Sequence, residues 1–390
     1  MVWRNAAQLV PPRIPLGQKR YKFLEEETMS YLRYFLAPLL AWFAIIGVLM
    51  GGHWLWLGLV IAFGVMMGGD SLLGQDASKL HFNHPWILQI PLYSALPVLT
   101  LLLLSFAWAT GTGESDFLSL GANLQRLFAY DFLAARAENS AWDFVGGVLG
   151  VGLVVVGWGV NVGHELTHRV KSTVAMLCGR FLLSMAGIAD FAIEHVYGHH
   201  AFVGTPRDPA TARRGENVYA FVVRSSIFGH ISAWKHELKR LRRKEQNIFS
   251  HHNWMLRGYL LTVPWLIMFF LAGSWFGVLL FVAQAAFAKF ILEIVNYIEH
   301  YGIVRKASEP IKPQHSWNTN HRMSAMILFS LNRHSAHHEK MELPYWVLEP
   351  YPDAPQLPYG YLNAIIVSLI PPLWFRVMDK KIQEWEAKYA

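Results

Sequence analysis

A single cysteine, Cys178, stands in a chain of 390 residues. One thiol cannot form an internal disulfide, a Cys-x-x-Cys redox pair or a four-cysteine metal site, so any redox partner has to be another protein. Charge is scarce as well: 16% of the residues are charged, against 53% hydrophobic ones and a mean hydropathy of +0.25. That balance excludes disorder and argues against a water-soluble enzyme of ordinary composition. No internal repeat or low-complexity tract is evident. Proline-rich stretches are confined to Pro11-Pro12 and the segment from Leu343 to Pro358.

What is abundant is apolar length. Runs near Tyr34 to Met50, Trp54 to Met67, Ile87 to Ala109, Phe144 to Val162, Met255 to Leu271 and Trp275 to Tyr297 approach or exceed the ~20 residues a helix needs to cross a bilayer. The first follows some 30 polar or mixed residues and has no small-residue cleavage site, so it is expected to be a retained span. Lys plus Arg number six in residues 1–33, thirteen in 163–254 and ten in 299–390, whereas the 110–141 loop has two against four acids. Basic loops stay on the cytoplasmic side, which puts both termini and both long segments there. Six crossings agree with that count, because an even number returns the chain to its starting side. The net charge of +7 then follows from topology.

The basic run from Lys235 to Lys244 has no stacking platform or groove-reading motif beside it, so nucleic acid is not the expected partner. Trp234, Leu238 and Leu241 share a helical face, and the reading is a surface helix laid on anionic headgroups. The segment from Tyr361 to Phe375, broken by Pro371-Pro372, is short for a span and reads as an interfacial or re-entrant helix.

Nine of the 18 histidines fall in four tight groups, each at the cytoplasmic end of a span or in the cytoplasmic segments. His164 and His168 sit four apart, on one face of a helix that continues the fourth span. Glu194-His195-Val196-Tyr197-Gly198-His199-His200 repeats the i, i+4 pair and adds an adjacent histidine. Asn296 to Gly302 brings His300, and Arg333 to His338 brings His334, His337 and His338. Metal coordination by neutral imidazole is the economical account. His164-Glu165-Leu166-Thr167-His168 is a literal HExxH, in which two histidines bind zinc and the Glu is general base. A closed zinc site would leave most of the other seven histidines unused, whereas nine imidazoles suit two metals with open positions, and imidazole accommodates iron.

These boxes resemble the integral-membrane non-haem di-iron hydroxylases, most closely the alkane 1-monooxygenase group with its xylene and cymene methyl hydroxylase relatives. The resemblance is carried by His164 to His168, Glu194 to His200, Asn296-Tyr297-Ile298-Glu299-His300-Tyr301-Gly302 and Arg333 to His338. Thr205 to Ala210, Gln314 to Asn318 and Asp353 to Leu357 add to it, so that it runs from about Asp70 to Met378. Thr167, Arg169 and Val196-Tyr197 resemble the aryl-methyl branch at least as well. The implied fold is all-α: an integral-membrane bundle of six transmembrane helices with a cytoplasmic, histidine-rich di-iron cap. It has a tail over 1–33, the helical region over 34–298 including segment 163–254, and a C-terminal segment over 299–390 that completes the metal site.

The resemblance implies O2-dependent hydroxylation of the terminal methyl of a medium-chain alkane, or of a benzylic methyl, with two iron ions as cofactors and O2 as co-substrate. The nine box histidines would be the metal ligands, with Glu165 and Glu299 as catalytic carboxylates. Electrons would come from an external rubredoxin or ferredoxin-type reductase system, and a bacterial inner membrane would be the location. Lys289, Glu293, Asn296 and His300 share one helical face, so the two charged members are either support for the metals, a proton route or an orienting ion pair. The Trp54–Trp56 turn is expected to cap a long channel for an alkane, and Thr167, Val196 and Tyr197 to shape a ring pocket for an arene. A metalloprotease, a desaturase or a transporter is the competing class.

Overall fold

The computed structural model describes residues 28–389 except residue 114. Most of the expected tail over 1–33 therefore lies outside the described residues. Among those described, the chain is helical, with two isolated β-bridges and no strand. Five helices are long and apolar enough to cross a membrane: α1 (Thr28–Met50), α2 (Gly52–Leu73), α3 (Pro85–Ala109), α4 (Ala141–Thr167) and a 47-residue element, Trp254–His300. A shorter apolar helix, α5 (Thr173–Ser184), follows α4. The helical segment α6 covers 191–202, and α7 is Val218–Arg243. Trp254–His300 is α8, followed by α9 (His334–Glu339), α10 (Tyr361–Ser368) and α11 (Pro371–Tyr389).

Helix α8 is two arms. Gly273 and Ser274 leave helical geometry, Ser274 with φ +53°, and the chain folds back. Trp265 Nε1 donates to Ser184 Oγ (2.9 Å) while Gln284 Nε2 donates to the neighbouring Met185 carbonyl (2.9 Å). A continuous helix would hold those two residues about 28 Å apart. The rings of Phe269 and Phe281 likewise meet at 5.3 Å. The arms, 254–272 and 275–300, correspond to the two apolar runs read separately in the sequence.

Small residues let these helices approach closely. A Cβ at Gly58 would lie 2.8 Å from the Ala44 Cβ of α1, and one at Gly150 of α4 would lie 3.0 Å from the Leu59 backbone nitrogen. One apolar cluster runs from Tyr31 to Trp385, so the C-terminal segment shares the core of the bundle. Asp70, at the end of α2, anchors it: its carboxylate accepts from the Ser324 backbone N–H (2.9 Å) and hydroxyl (2.5 Å), and Ser324 Oγ accepts in turn from the Tyr361 N–H (3.1 Å).

Two local expectations change. Leu241 is 1% exposed and Trp234 Nε1 bonds to Tyr259 Oη (3.1 Å), so that face of α7 packs on protein, not headgroups. The exposed apolar stripe is formed instead by Tyr219, Val223, Ile227 and Ile231, at every fourth residue. Pro371 opens a new helix, where its missing N–H costs nothing, so the last apolar run divides into α10 and α11.

Candidate metal centre

The ends of α4 and α8, the segment α6 and the short helix α9 converge at one end of the bundle, and all nine box histidines meet there. They form two groups whose ligand nitrogens lie within 4.8 Å of one another: His164, His168, His195, His200 and His337 in one, His199, His300, His334 and His338 in the other. All but the partly buried His168 are below 9% exposed.

The division follows from backbone geometry. In α4 the i, i+4 spacing holds His164 and His168 Nε2 3.1 Å apart. The spacing of the second box suggested the pair His195 and His199, but residues Glu194–His199 adopt a π turn. Widening the turn by one residue pairs His195 with His200 (Nε2 to Nε2, 3.0 Å) and sends His199 to the other group. In α9, His334 and His338 pair at 2.9 Å, while His337 crosses to His164 and His200, both at 3.0 Å.

Nitrogens gathered this closely suit a shared cation, toward which neutral imidazoles can all turn their lone pairs. Ligands at about 2.1 Å from one ion, set at right angles, stand about 3.0 Å apart. The observed spacings of 2.9–3.3 Å match, and the donor set therefore fits two nitrogen-ligated metals. Burial, reinforced by neighbouring imidazoles, pushes His195, His200, His334, His337 and His338 well below the usual imidazole range and His168 to about 3. All are neutral and ready to bind at neutral pH.

A carboxylate holds the outer nitrogen of His199. His199 Nδ1 meets Asp208 Oδ2 at 2.9 Å, and Thr211 Oγ1 donates to the same oxygen at 2.6 Å. Although burial pushes Asp208 up, the imidazole beside it keeps it below the usual carboxylate range. Glu299 lies 3.3 Å from His334 Nδ1 and accepts from Tyr361 Oη at 2.6 Å. Asp208, noted only within the family-like segment Thr205 to Ala210, and Tyr361 were assigned no role in the sequence reading. Glu165 pairs with Arg169 (2.9 Å), which also donates to Gln89 (2.7 Å), and it does not line either cavity described below.

An apolar cavity opens onto the centre. His164, His195, His334 and Glu299 form its polar end; Leu40, Ala62, Met66 and Leu153 lie among the apolar remainder. Neither Trp54 and Trp56 nor Thr167, Val196 and Tyr197 line it. Trp56 packs on Trp142 (4.8 Å between rings) and against Gly146, and Tyr197 is 42% exposed. Both expectations for the shaping residues are thus corrected: α1 and α2 line the cavity through residues such as Leu40, Ala62 and Met66 while the turn between them lies beyond it, and Tyr197 on the π turn faces outward. A second, smaller cavity touches His195 and His199 and is lined by Asp190, Glu194, Lys289 and Glu293 among others. Lys289 and Glu293 are ion-paired at 2.6 Å.

Comparison with known proteins agrees with this construction. The fatty acid desaturase family model matches residues 140–365, which include all nine histidines. Alkane 1-monooxygenase 1 of Pseudomonas aeruginosa is 40% identical over 248 residues, 62% of this chain and 65% of that protein. Alkane 1-monooxygenase 2 of Alcanivorax borkumensis is 32% identical over 383 residues, 96% of this chain and 94% of its own length. The xylene/toluene monooxygenase hydroxylase component of Pseudomonas putida is 30% identical over 365 residues, 93% and 92% of the two chains. On this near full-length similarity, the chain belongs to the alkane 1-monooxygenase family.

Proposed function

We propose that this chain hydroxylates the terminal methyl group of a medium-chain alkane to a primary alcohol. It is an oxidoreductase of a family of multi-pass membrane proteins. Per turnover, R–CH3 + O2 + 2e⁻ + 2H⁺ gives R–CH2OH + H2O. The observation that carries the reading is the long apolar cavity ending on two histidine groups: it can hold a flexible hydrocarbon and aim one end at a metal centre.

Two irons would be held by five and four imidazoles, with Asp208 and Glu299 orienting His199 and His334. When bound, they supply the activation of O2 and the oxidation of the C–H bond. The chain's own part is to fix the ligand nitrogens, to exclude bulk water with aliphatic walls and to position the methyl group. In this reading α1 to α4 and the two arms of α8 make six crossings, and the metal centre and both termini face the cytoplasm of a bacterial inner membrane. Electrons would come from a separate rubredoxin or ferredoxin-type carrier, for which the basic cytoplasmic segments favour an acidic surface.

Benzylic hydroxylation of an alkyl-arene is the second reading, favoured by the similarity to the xylene/toluene component; the length of the cavity favours the alkane. Iron analysis with Mössbauer spectroscopy, beside turnover of octane and p-xylene with donor and O2, tests both. Two irons per chain and octanol formation are expected. One zinc, or turnover without O2, would overturn the assignment.

A further inference from the structure

Hydroxylation as written consumes two protons, and the apolar cavity offers them no passage. Apart from Asn161, Asn296, Tyr361, Glu299 and the histidines, its lining side chains are aliphatic or aromatic, so along Leu40, Ala62, Met66 and Leu153 a proton has no carrier. The second cavity differs in kind. It reaches His195 and His199, and buried ionisable groups line it.

We propose that this polar chamber is the water-filled inlet through which protons reach the metal centre, with His230 as the surface acceptor and Asp190 and the Lys289–Glu293 pair as inner relays. The inference rests on the hydroxylase reading above.

Three observations carry it. Hydrogen-bonded groups stand on both sides of the chamber. The His230 side chain is 44% exposed and its Nδ1 lies 3.3 Å from Asp190 Oδ2. Across the chamber, Glu293 is bonded to Lys289 (2.6 Å), to Ser225 Oγ (2.5 Å) and to Asn296 Nδ2 (3.3 Å). Asn296 and His195 line both cavities, so the inlet ends where the substrate cavity begins.

The chamber also asks for water. Both carboxylate oxygens of Glu194 are buried without a close protein hydrogen bond, the Ser232 hydroxyl being a looser neighbour. A buried carboxyl group so poorly partnered is costly, and the polar void beside it has room for water to hydrate it. Finally, a merely structural ion pair would be close-packed. Here the charged groups surround open space instead, at a desolvation cost that packing apolar residues would have avoided.

Two measurements test this, one independent of turnover. In metal-free protein carrying Cys178→Ala, a Gly229→Cys thiol would lie beside Glu194, since a Cβ at Gly229 stands 4.0 Å from Glu194 Cγ. A cationic methanethiosulfonate in water should label it at least about tenfold faster than a Leu153→Cys thiol in the apolar cavity. In iron-loaded protein, Asp190→Asn should lower kcat about 10²-fold, leave the octane KM and iron content unchanged, and raise the solvent deuterium isotope effect. Gly229→Leu fills the chamber without removing a charge and should give the same pattern.

A Gly229→Cys thiol as unreactive as the one at position 153 overturns the inlet. So does an active wild type beside Asp190→Asn and Gly229→Leu variants with unaltered kcat and isotope effect. A wild type that leaves octane untouched overturns the hydroxylase reading and the inlet with it.

Discussion

His199 Nδ1 and Asp208 Oδ2 face each other at 2.9 Å, with the two side chains 2% and 0% exposed. The contact leaves Nε2 free to face the metal, because the proton is held on the outer nitrogen. Thr211 occupies the same carboxylate oxygen, so the aspartate is itself fixed. Asp208→Ala should weaken metal binding in the four-histidine group about 10–100-fold, lowering iron toward one per chain. Asp208→Asn keeps an acceptor and should lose less. Iron content equal to wild type in both variants would show that the ring is oriented by packing alone.

Glu165 separates the hydroxylase from a zinc protease. A general base must reach the water it activates, yet this carboxylate is turned to Arg169 at 2.9 Å and is absent from the walls of both cavities. Glu165→Gln preserves an acceptor for Arg169, so iron content and hydroxylation should stay within a few-fold of wild type. Peptide hydrolysis that needs neither O2 nor donor and vanishes in this variant is the result that contradicts us.

The helices were legible because apolar length and basic loops have a direct physical meaning in a bilayer. Even the fold-back at Gly273-Ser274 was anticipated, as a gap between two apolar runs. The histidines were legible as a set because nine imidazoles at one end have few other uses. Their division was not. It depends on the π turn over Glu194–His199, an added residue per turn that local composition does not announce. Asp208 and Tyr361 act through contacts across 9 and 62 residues with His199 and Glu299, which spacing does not reveal. The cavity walls failed for a similar reason: sequence order places Trp54 and Trp56 near the first turn, but only packing decides that Trp56 rests on Trp142.

Buried neutral imidazoles make the metal-free protein acid-sensitive. His168 is held near 3, and His195, His200, His334, His337 and His338 well below the unfolded value of about 6.5. Between those limits the unfolded chain binds more protons than the folded one. Their contribution is therefore complete above about pH 6.5 and is lost progressively as pH falls below it. The Tm of metal-free protein should drop between about pH 7.5 and about pH 5.5, and iron should raise Tm at the upper pH and be released at the lower. A metal-free Tm that is flat over this range would mean the rings gain other partners when the metals leave.

Chain-length selection should reside in the cavity wall farthest from the metals. Leu153 lies eleven residues before His164 on α4, about 16 Å along the helix axis, and both residues line the same cavity. Its side chain is 7% exposed and packed in the core. Leu153→Ala should extend the accepted alkanes by several carbons, and Leu153→Trp should reject the longest wild-type substrates, each excess methylene costing about 10-fold or more in kcat/KM. Trp54→Ser, at a half-exposed position outside the cavity, should leave the profile unchanged. Trp56→Ser removes the contacts with Trp142 and Gly146 and should lower Tm without moving the cutoff. Product profiles from hexane to hexadecane, with p-xylene as competitor, decide the matter. A cutoff that follows Trp54 or Trp56 and ignores Leu153 would mean that the substrate takes a different path from the apolar cavity described here.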